Sequence, residues 1–223
     1  MPTPVIRPYE PRDRDAVRHI CFVTGYLGDP VAWQWRDKPS FADMFSSYYT
    51  DHEPGSASVV EVDGVVSGYL LGCVDSTKGA NAAAIAARHA VRRGIAFRPG
   101  TAGVVWRSAR DVVADLVRRR VTPAELDIAD ARWPAHLHID LLPVARGCGA
   151  GQALVRGWLS SLRDQGVPGC HLQTMQENTG AIAFFEAMGF RRHGRPVPAP
   201  GLRTPEGERL HLQVMVQDLA PAG

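Results

Sequence analysis

The chain has 223 residues, 45% of them hydrophobic, and a formal net charge of +2 at pH 7. This length and apolar content can bury the core of one enzyme-sized domain. So small a net charge gives no global attraction to nucleic acid or to a membrane surface. The sequence also has no apolar run of about 18 residues, the minimum for a membrane-spanning helix. We therefore expect a globular protein with neither nucleic acid nor membrane as a partner.

The four cysteines predict the compartment. They are scattered without CxxC spacing, which favours free thiols in a reducing environment over a disulfide framework. They are Cys21, Cys73, Cys148 and Cys170. The first residues also lack the basic and apolar regions of a signal peptide. Both observations predict a cytoplasmic protein.

The N-terminal part predicts a strand at 5–7 and then a helix from about Pro11 to Thr24. Ser40 and Asp43 resemble a capping box, which predicts a second helix through Tyr49. The face that the first helix should bury carries Val17, Ile20, Cys21 and Thr24.

Two strands should follow as a hairpin. Residues 58–62 and 65–75 alternate apolar and polar side chains around Asp63-Gly64, a pair that favours a type I′ turn.

Residues 76–134 predict a helical insert. Ser108 and Asp111 form a cap for one of its helices, and a proline at the first position favours another. The three predicted helices lie at 80–90, at about 108–120 and from 122 onward. Their apolar faces are too large for a short subdomain to bury alone, so we expect them to wall a substrate site or to form a homodimer contact.

From Ala135 strands and helices alternate regularly. The predicted elements are a strand from 135, a helix that reaches Leu162 and stops at Gly166, a strand at 169–175, a further helix, and a final hairpin that ends in a strand at 210–219.

The junction at residues 139–154 carries the first functional motif. An apolar strand breaks into a glycine-rich turn that opens into a helix, which is an arrangement that binds phosphate oxygens. The turn has no lysine, so it is not a P-loop, and Gln152 breaks the dinucleotide fingerprint. The pattern that remains is [Q/R]-x-x-G-x-[G/A], filled by Arg146, Gly149 and Gly151.

A second motif lies at residues 178–190. Asn178 is a candidate N-cap, apolar residues recur at helical spacing, and Gly189 ends the helix. The segment fits N-x-x-A-x-x-x-[YF]-x-x-x-G-F, with Phe185 at the aromatic position. The two motifs, in this order and separation, resemble the GNAT (Gcn5-related) N-acetyltransferases.

The resemblance implies an α/β (α+β) GNAT fold, a central mixed and mostly antiparallel sheet flanked by helices. It implies a single domain over 1–223, with the helical insertion between strands 3 and 4. Residues 6–13, the strand at 68–75, the long insert and Ile139-Asp140 resemble more narrowly the acetyltransferase-like domain of O-GlcNAcase and its free-standing bacterial relatives.

The resemblance further implies acetyl-CoA as cofactor and no metal. Strands four and five should splay apart after Leu141, whose amide would hold the thioester carbonyl. Val144 would continue the pairing with pantetheine, and the turn would cradle the pyrophosphate. The implied cofactor-binding residues are Leu141, Leu142, Val144, Arg146, Gly147, Cys148, Gly149, Ala150, Gly151, Asn178 and Phe185.

Such an enzyme needs a base for the incoming ammonium. Alternation places His136, His138 and Asp140 on one face of the fourth strand. A carboxylate inside an apolar strand is costly unless it is paired or used, so Asp140 is the first candidate and His138 the second. The tyrosine that usually protonates the leaving thiolate is replaced by Phe185, which has no proton to give.

Other interpretations compete for some of these residues. A metal site could be built from His136, His138, His171 and Cys170, although no other signal supports it. The arginines of the insert could bind nucleic acid, but the interleaved Asp111 and Asp115 favour a solvated face or a dock for the adenosine 3′-phosphate. An aromatic acceptor groove could be lined by Trp33, Trp35, Tyr48 and Tyr49, which could equally be core.

Two functions remain open. One is an acetyl-CoA-dependent transferase that acts on a small-molecule amine or on an amine of a peptide or protein. The other is a GNAT-fold module that binds acetyl-CoA with weak or no catalysis.

Overall fold

The computed structural model describes residues 3–76, 92–122 and 130–219. Its strands form one seven-stranded sheet in the order β1-β2-β3-β4-β5-β7-β6. The strands are β1 Val5–Pro8, β2 Ala57–Val62, β3 Val65–Cys73, β4 Ala135–Leu141, β5 Gly169–Met175, β6 Arg191–Arg203 and β7 Arg209–Asp218. The helices are α1 Arg14–Thr24, α2 Lys38–His52, α3 Ala102–Val117, α4 Ala150–Asp164 and α5 Thr179–Ala187. The predicted mixed, mostly antiparallel sheet is confirmed.

The sheet opens in its middle. β4 and β5 are parallel and pair at only two positions, Ala135 with Cys170 and His136 with His171. The prediction that they separate after Leu141 is therefore wrong, because the gap already begins beyond His136. Each strand stays with its antiparallel neighbour, β4 with β3 and β5 with β7, and the twist of the sheet carries the two pairs apart.

Two apolar clusters lie on opposite faces of this sheet. On one face Leu137 of β4 packs with α4 and α5, around Trp158 and Phe185. On the other face α1 and α2 pack on β3 around Ile20 and Tyr69. The alternation of β4 thus serves both faces, since its apolar residues face α4 while its histidines face α2.

The N-terminal helices agree with the sequence except at one boundary. All four residues predicted on the inner face of α1 are buried. The capping box at Ser40 and Asp43 is wrong, because α2 begins at Lys38 and both residues lie inside it. Asp43 is instead buried as the partner of Arg18 and Arg93.

The hairpin turn has the predicted conformation. Asp63 and Gly64 have φ angles of 52° and 76°, both in the left-handed region that a type I′ turn needs.

The insert has one described helix, α3, and its start was predicted wrongly. Ser108 and Asp111 lie in the middle of α3 instead of capping it, because both bond to the β6–β7 hairpin. The helices predicted at 80–90 and from 122 fall largely on residues 77–91 and 123–129, outside the described residues.

The C-terminal part follows the sequence closely. The strand at 169–175 is exact, and the glycines after α4 and α5 adopt positive φ as helix-ending residues do. No helix in the described ranges is long and apolar enough to cross a membrane.

Candidate active site

The glycine-rich turn joins β4 to α4. After β4 a short 3-10 turn covers Pro143–Ala145, and the chain then reaches Gly147 at φ 75° and Gly149 at φ 84°. A Cβ at either glycine would meet no atom within 4 Å, so space is open above the turn. The first N–H groups of α4 lack intrahelical partners and point toward that space. The turn has the shape and the donors of an anion cradle.

Gly151 has a different role, which is close packing. A Cβ there would lie 3.2 Å from Leu141 Cδ1 and 3.4 Å from the Phe184 ring. The glycine therefore lets α4 approach both the end of β4 and α5.

The end of β4 presents an unpaired backbone amide to the gap in the sheet. The amide of Leu142 donates to the carbonyl of Ser67 on β3 at 2.8 Å. Since donors alternate along an antiparallel strand, the N–H and C=O of Leu141 point the other way, toward β5. In the described sheet β5 pairs with no residue of β4 beyond His136. The Leu141 amide thus faces the gap.

Arg146 ties this edge to the loop after α1. Its Nε donates to the carbonyl of Leu141 at 2.9 Å and a terminal nitrogen donates to Gly28 at 2.7 Å. The guanidinium therefore lies beside the gap and does not reach over the turn. Val144 lies exposed in the 3-10 turn and does not extend β4, while Leu142 packs against the α1–α2 cluster.

The second motif forms α5 as predicted. Asn178 caps the helix, its Oδ1 accepting from the amide of Ala181 at 3.1 Å. Phe185 is 6% exposed and packs against Phe190 with ring centroids 5.8 Å apart. Its neighbour Phe184, which the sequence analysis did not single out, is the ring beside Gly151.

Asp140 and His138 lie close together on the face of β4 that points away from α4. Nε2 of His138 lies 3.4 Å from Oδ2 of Asp140, and their side chains are 32% and 16% exposed. Tyr69, which sequence reasoning missed, donates its hydroxyl to the same Oδ2 at 2.5 Å. Only its place opposite Asp140 in the β3–β4 register gives a signal, and that register is unknown before folding. The β3–β4 ladder runs without interruption past both residues.

Burial acts on the charge of the Asp140 carboxyl. It raises the pKa of Asp140, whereas His138 and the Tyr69 hydrogen bond oppose the shift. Nδ1 of His138 is buried and has no hydrogen-bond partner among the described residues. If Nε2 carries the hydrogen toward Asp140, Nδ1 carries the lone pair that can accept a proton.

Comparisons with known proteins agree with this geometry. The acetyltransferase (GNAT) family matches residues 124–190, which include β4, the turn, α4, β5 and α5. The solved structure of SsHAT is 29% identical, covers 98% of this chain and 100% of its own, and has a TM-score of 0.66. The segment that carries both motifs therefore matches the GNAT family, and the chain has the GNAT fold.

Two further structures share the fold at lower identity. The ribosomal-protein-S18-alanine N-acetyltransferase from Escherichia coli is 17% identical, with coverage of 99% of this chain and 97% of its own and a TM-score of 0.56. The phosphinothricin acetyltransferase from Sinorhizobium meliloti, in complex with acetyl-CoA, is 20% identical, with coverage of 98% and 89% and a TM-score of 0.57.

The other two histidines of the hypothetical metal set, His136 and His171, take part in packing. Nε2 of His136 lies 2.6 Å from the Tyr49 hydroxyl, and burial, reinforced by His171 and His138, lowers the pKa of His136 to about 3. Nδ1 of His171 donates to the carbonyl of Trp133 at 2.7 Å. Within the described residues no group of three or more His, Cys, Asp and Glu side chains is placed to hold a metal.

The insert contacts both α2 and the β6–β7 hairpin. Arg93 pairs with Asp43 of α2, and Arg107 donates to the carbonyl of Gly201. The predicted solvated face holds for Arg110, Arg118, Arg119 and Arg120, which are exposed. It is wrong for the two aspartates, because Asp111 and Asp115 are buried and pair with Arg203 and Arg209 of the hairpin. The exposed side of α3 also carries Trp106, Val113 and Val117.

Only one of the four aromatics proposed for an acceptor groove is on the surface. Trp33 is 45% exposed and contacts Tyr26 edge-on at 5.0 Å. Trp35 is buried in the core, and the Tyr48 and Tyr49 hydroxyls bond to Glu53 and His136.

Proposed function

We propose that this protein transfers the acetyl group of acetyl-CoA to the nitrogen of an amine by direct attack. One observation carries the proposal. The unpaired edge of β4 at Leu141 leads directly into an open glycine turn at the start of α4. A cofactor that is an extended amide chain ending in a pyrophosphate matches both halves of this surface.

The residues present fit that cofactor. The amides of 147–151 and the dipole of α4 would hold the pyrophosphate, in the space that a Cβ at Gly149 would enter. The Leu141 amide would donate to the thioester carbonyl and stabilise the negative charge that develops there. When bound, acetyl-CoA supplies an already activated acyl group, so the chain needs no metal for the transfer.

The chain's own proton chemistry falls to the Asp140–His138 pair. It lies next to Leu141 on the strand, partly accessible and partly buried. The pair would accept the proton of the ammonium group, with Asp140 as the first candidate for the base. Phe185 offers no acid for the leaving thiolate, which leaves without a side-chain proton donor in this proposal.

The missing acid also supports a second candidate function. A phenylalanine at the aromatic position of the motif fits a module that binds acetyl-CoA and turns it over weakly or not at all. Both functions bind acetyl-CoA at the same turn, and they differ in whether transfer of the acetyl group follows.

The acceptor is proposed as a small-molecule amine or an amine of a peptide or protein. A cytoplasmic location, a single domain over 1–223, a homodimer and the narrower likeness to the O-GlcNAcase domain are proposed on the sequence alone. The test is turnover of acetyl-CoA labelled with ¹³C in the acetyl group against a panel of amines. A labelled product with free coenzyme A supports the transferase. Tight binding with no product from any amine favours the module.

A further inference from the structure

Tyr69 is the only tyrosine among the described residues whose hydroxyl donates to Asp140. It lies directly opposite Asp140 in the β3–β4 register and is 0% exposed. A buried tyrosine needs an acceptor for its hydroxyl, and many donate to a backbone carbonyl or to a water. This one donates to a carboxylate oxygen at 2.5 Å, a charge-assisted bond of the stronger kind.

Tyr69 touches both members of the proposed base. Its ring lies 5.6 Å from the His138 ring, and its hydroxyl shares Oδ2 of Asp140 with His138. The groups that face Asp140 are His138 from β4, Tyr69 from β3, Thr24 and Cys21 from α1, and Arg146 from the turn. Phe45 of α2 packs on the other side of His138 and adds no charge.

We propose that Tyr69 is a positioning residue for acetyl transfer, which holds the Asp140 carboxylate turned toward His138. The proposal rests on the proposed function. Only one proton moves in the step concerned, from the substrate nitrogen to the Asp140–His138 pair, and the Tyr69 hydroxyl keeps its own hydrogen. Its role is to keep one carboxylate oxygen in place so that the ring of His138 has a fixed orientation.

Two opposing contributions decide how loss of the Tyr69 hydroxyl changes the pKa of Asp140. Burial favours the neutral carboxyl, whereas a donated hydrogen bond favours the ionised one. Without the hydroxyl, burial acts with less opposition and the pKa of Asp140 rises further. Tyr69 itself stays protonated, because burial and the nearby Asp140 raise its pKa.

The first experiment needs no turnover. The carboxyl carbons of aspartate are labelled with ¹³C, and Asp140 is assigned as the resonance that disappears in Asp140→Asn. In Tyr69→Phe the pKa of Asp140 should rise by about half a unit or more. Tyr49→Phe is the matched control, because it removes a buried hydroxyl that bonds to His136 of the same strand. It should leave Asp140 unchanged.

If Tyr69→Phe does not fold, fluorotyrosine at position 69 replaces it. This residue keeps the hydroxyl and the volume but donates more strongly, so the pKa of Asp140 should fall. An Asp140 titration that is unmoved by the altered hydroxyl overturns the proposal.

The second experiment measures turnover. Tyr69→Phe should lower kcat about tenfold, leave KM for acetyl-CoA unchanged and move the acidic limb of the pH–rate profile to higher pH. In the Asp140→Asn background it should have no further effect. A shifted titration with an unchanged rate profile contradicts a positioning role. A wild-type protein that acetylates no amine contradicts the proposed function itself.

Discussion

Two regions of this protein are held together in different ways. The segment from β4 to α5 is held by apolar packing, with Leu154, Trp158 and Ile182 in one continuous cluster. The insert helix α3 meets the β6–β7 hairpin mainly through buried charges, Asp111 with Arg203 and Asp115 with Arg209. Apolar packing tolerates small shifts, whereas a buried ion pair demands its partner. We infer that the first region is the rigid frame of the cofactor site. The second region is a docking contact whose stability depends on single residues.

The two regions also differ in what their glycines and acids do. In the frame, backbone geometry matters most, because the turn must present N–H groups. In the docking contact, charge matters most. Substitutions in the two regions should therefore fail in different assays, one in cofactor binding and the other in stability.

The largest effect is expected at the turn. Gly149→Val should abolish acetyl-CoA binding, because the side chain would enter the space proposed for the phosphates and strain a residue at φ 84°. Calorimetric titration measures it.

Gly166→Val is the matched control for that substitution. Gly166 has φ 70° and equally open surroundings, but it lies at the far end of α4. The Gly166→Val variant should bind acetyl-CoA like the wild type. Unchanged affinity in Gly149→Val would remove the turn from the site.

The next effect is on the chemistry. Asp140→Asn should leave acetyl-CoA affinity nearly intact and lower kcat by roughly 10²-fold, the scale of losing a general base. Steady-state kinetics with the best amine checks it. If Asp140→Asn turns over normally while His138→Gln is inactive, the base is His138. If neither changes the rate, the pair has no part in catalysis.

A smaller effect is expected in the docking contact. Asp115→Ala should lower the free energy of unfolding by about 2 kcal/mol, since Arg209, in a mostly buried site, would keep only the more distant carboxylate of Asp111 at 3.9 Å. Urea unfolding measures it. Asp130→Ala, which breaks an exposed pair with Arg132, should leave stability unchanged. Equal losses in the two variants would contradict the contrast between the regions.

The smallest effect is a pH dependence of the same contact. Arg209, against the opposing influence of burial, lowers the pKa of Asp115 below its usual range. A depressed pKa means that the stabilisation is complete above the usual carboxyl range and is lost as pH falls through the lowered value. Unfolding followed from pH 7 to pH 3 should therefore show a steeper acid loss in the wild type than in Asp115→Asn. Parallel curves would show that the pair does not contribute.

The cofactor side could be predicted from sequence because local rules decide it. Gly149 is fixed by the turn and Asn178 by the cap it makes, so their roles follow from neighbours in the chain. The alternation of β4 likewise placed His138 and Asp140 on one face before any register was known.

The docking contact could not be predicted, because tertiary partners decide it. Asp111 and Asp115 follow the pattern of a solvated helix face, and only the arrival of Arg203 and Arg209 from the hairpin makes them buried. The role of Tyr69 could not be predicted for the same reason, since its partner Asp140 lies on another strand. The start of the β4–β5 gap depended on which neighbour each strand keeps, and no local signal carries that choice.

The most direct test of the account is a ¹H–¹⁵N chemical-shift titration of the wild-type protein with acetyl-CoA. The account predicts that the largest perturbations fall on the amides of Leu141 and residues 147–151, with Gly166 and α3 unaffected. Perturbations centred on the insert helix α3, or saturating binding that leaves Leu141 and Gly149 unmoved, would contradict it.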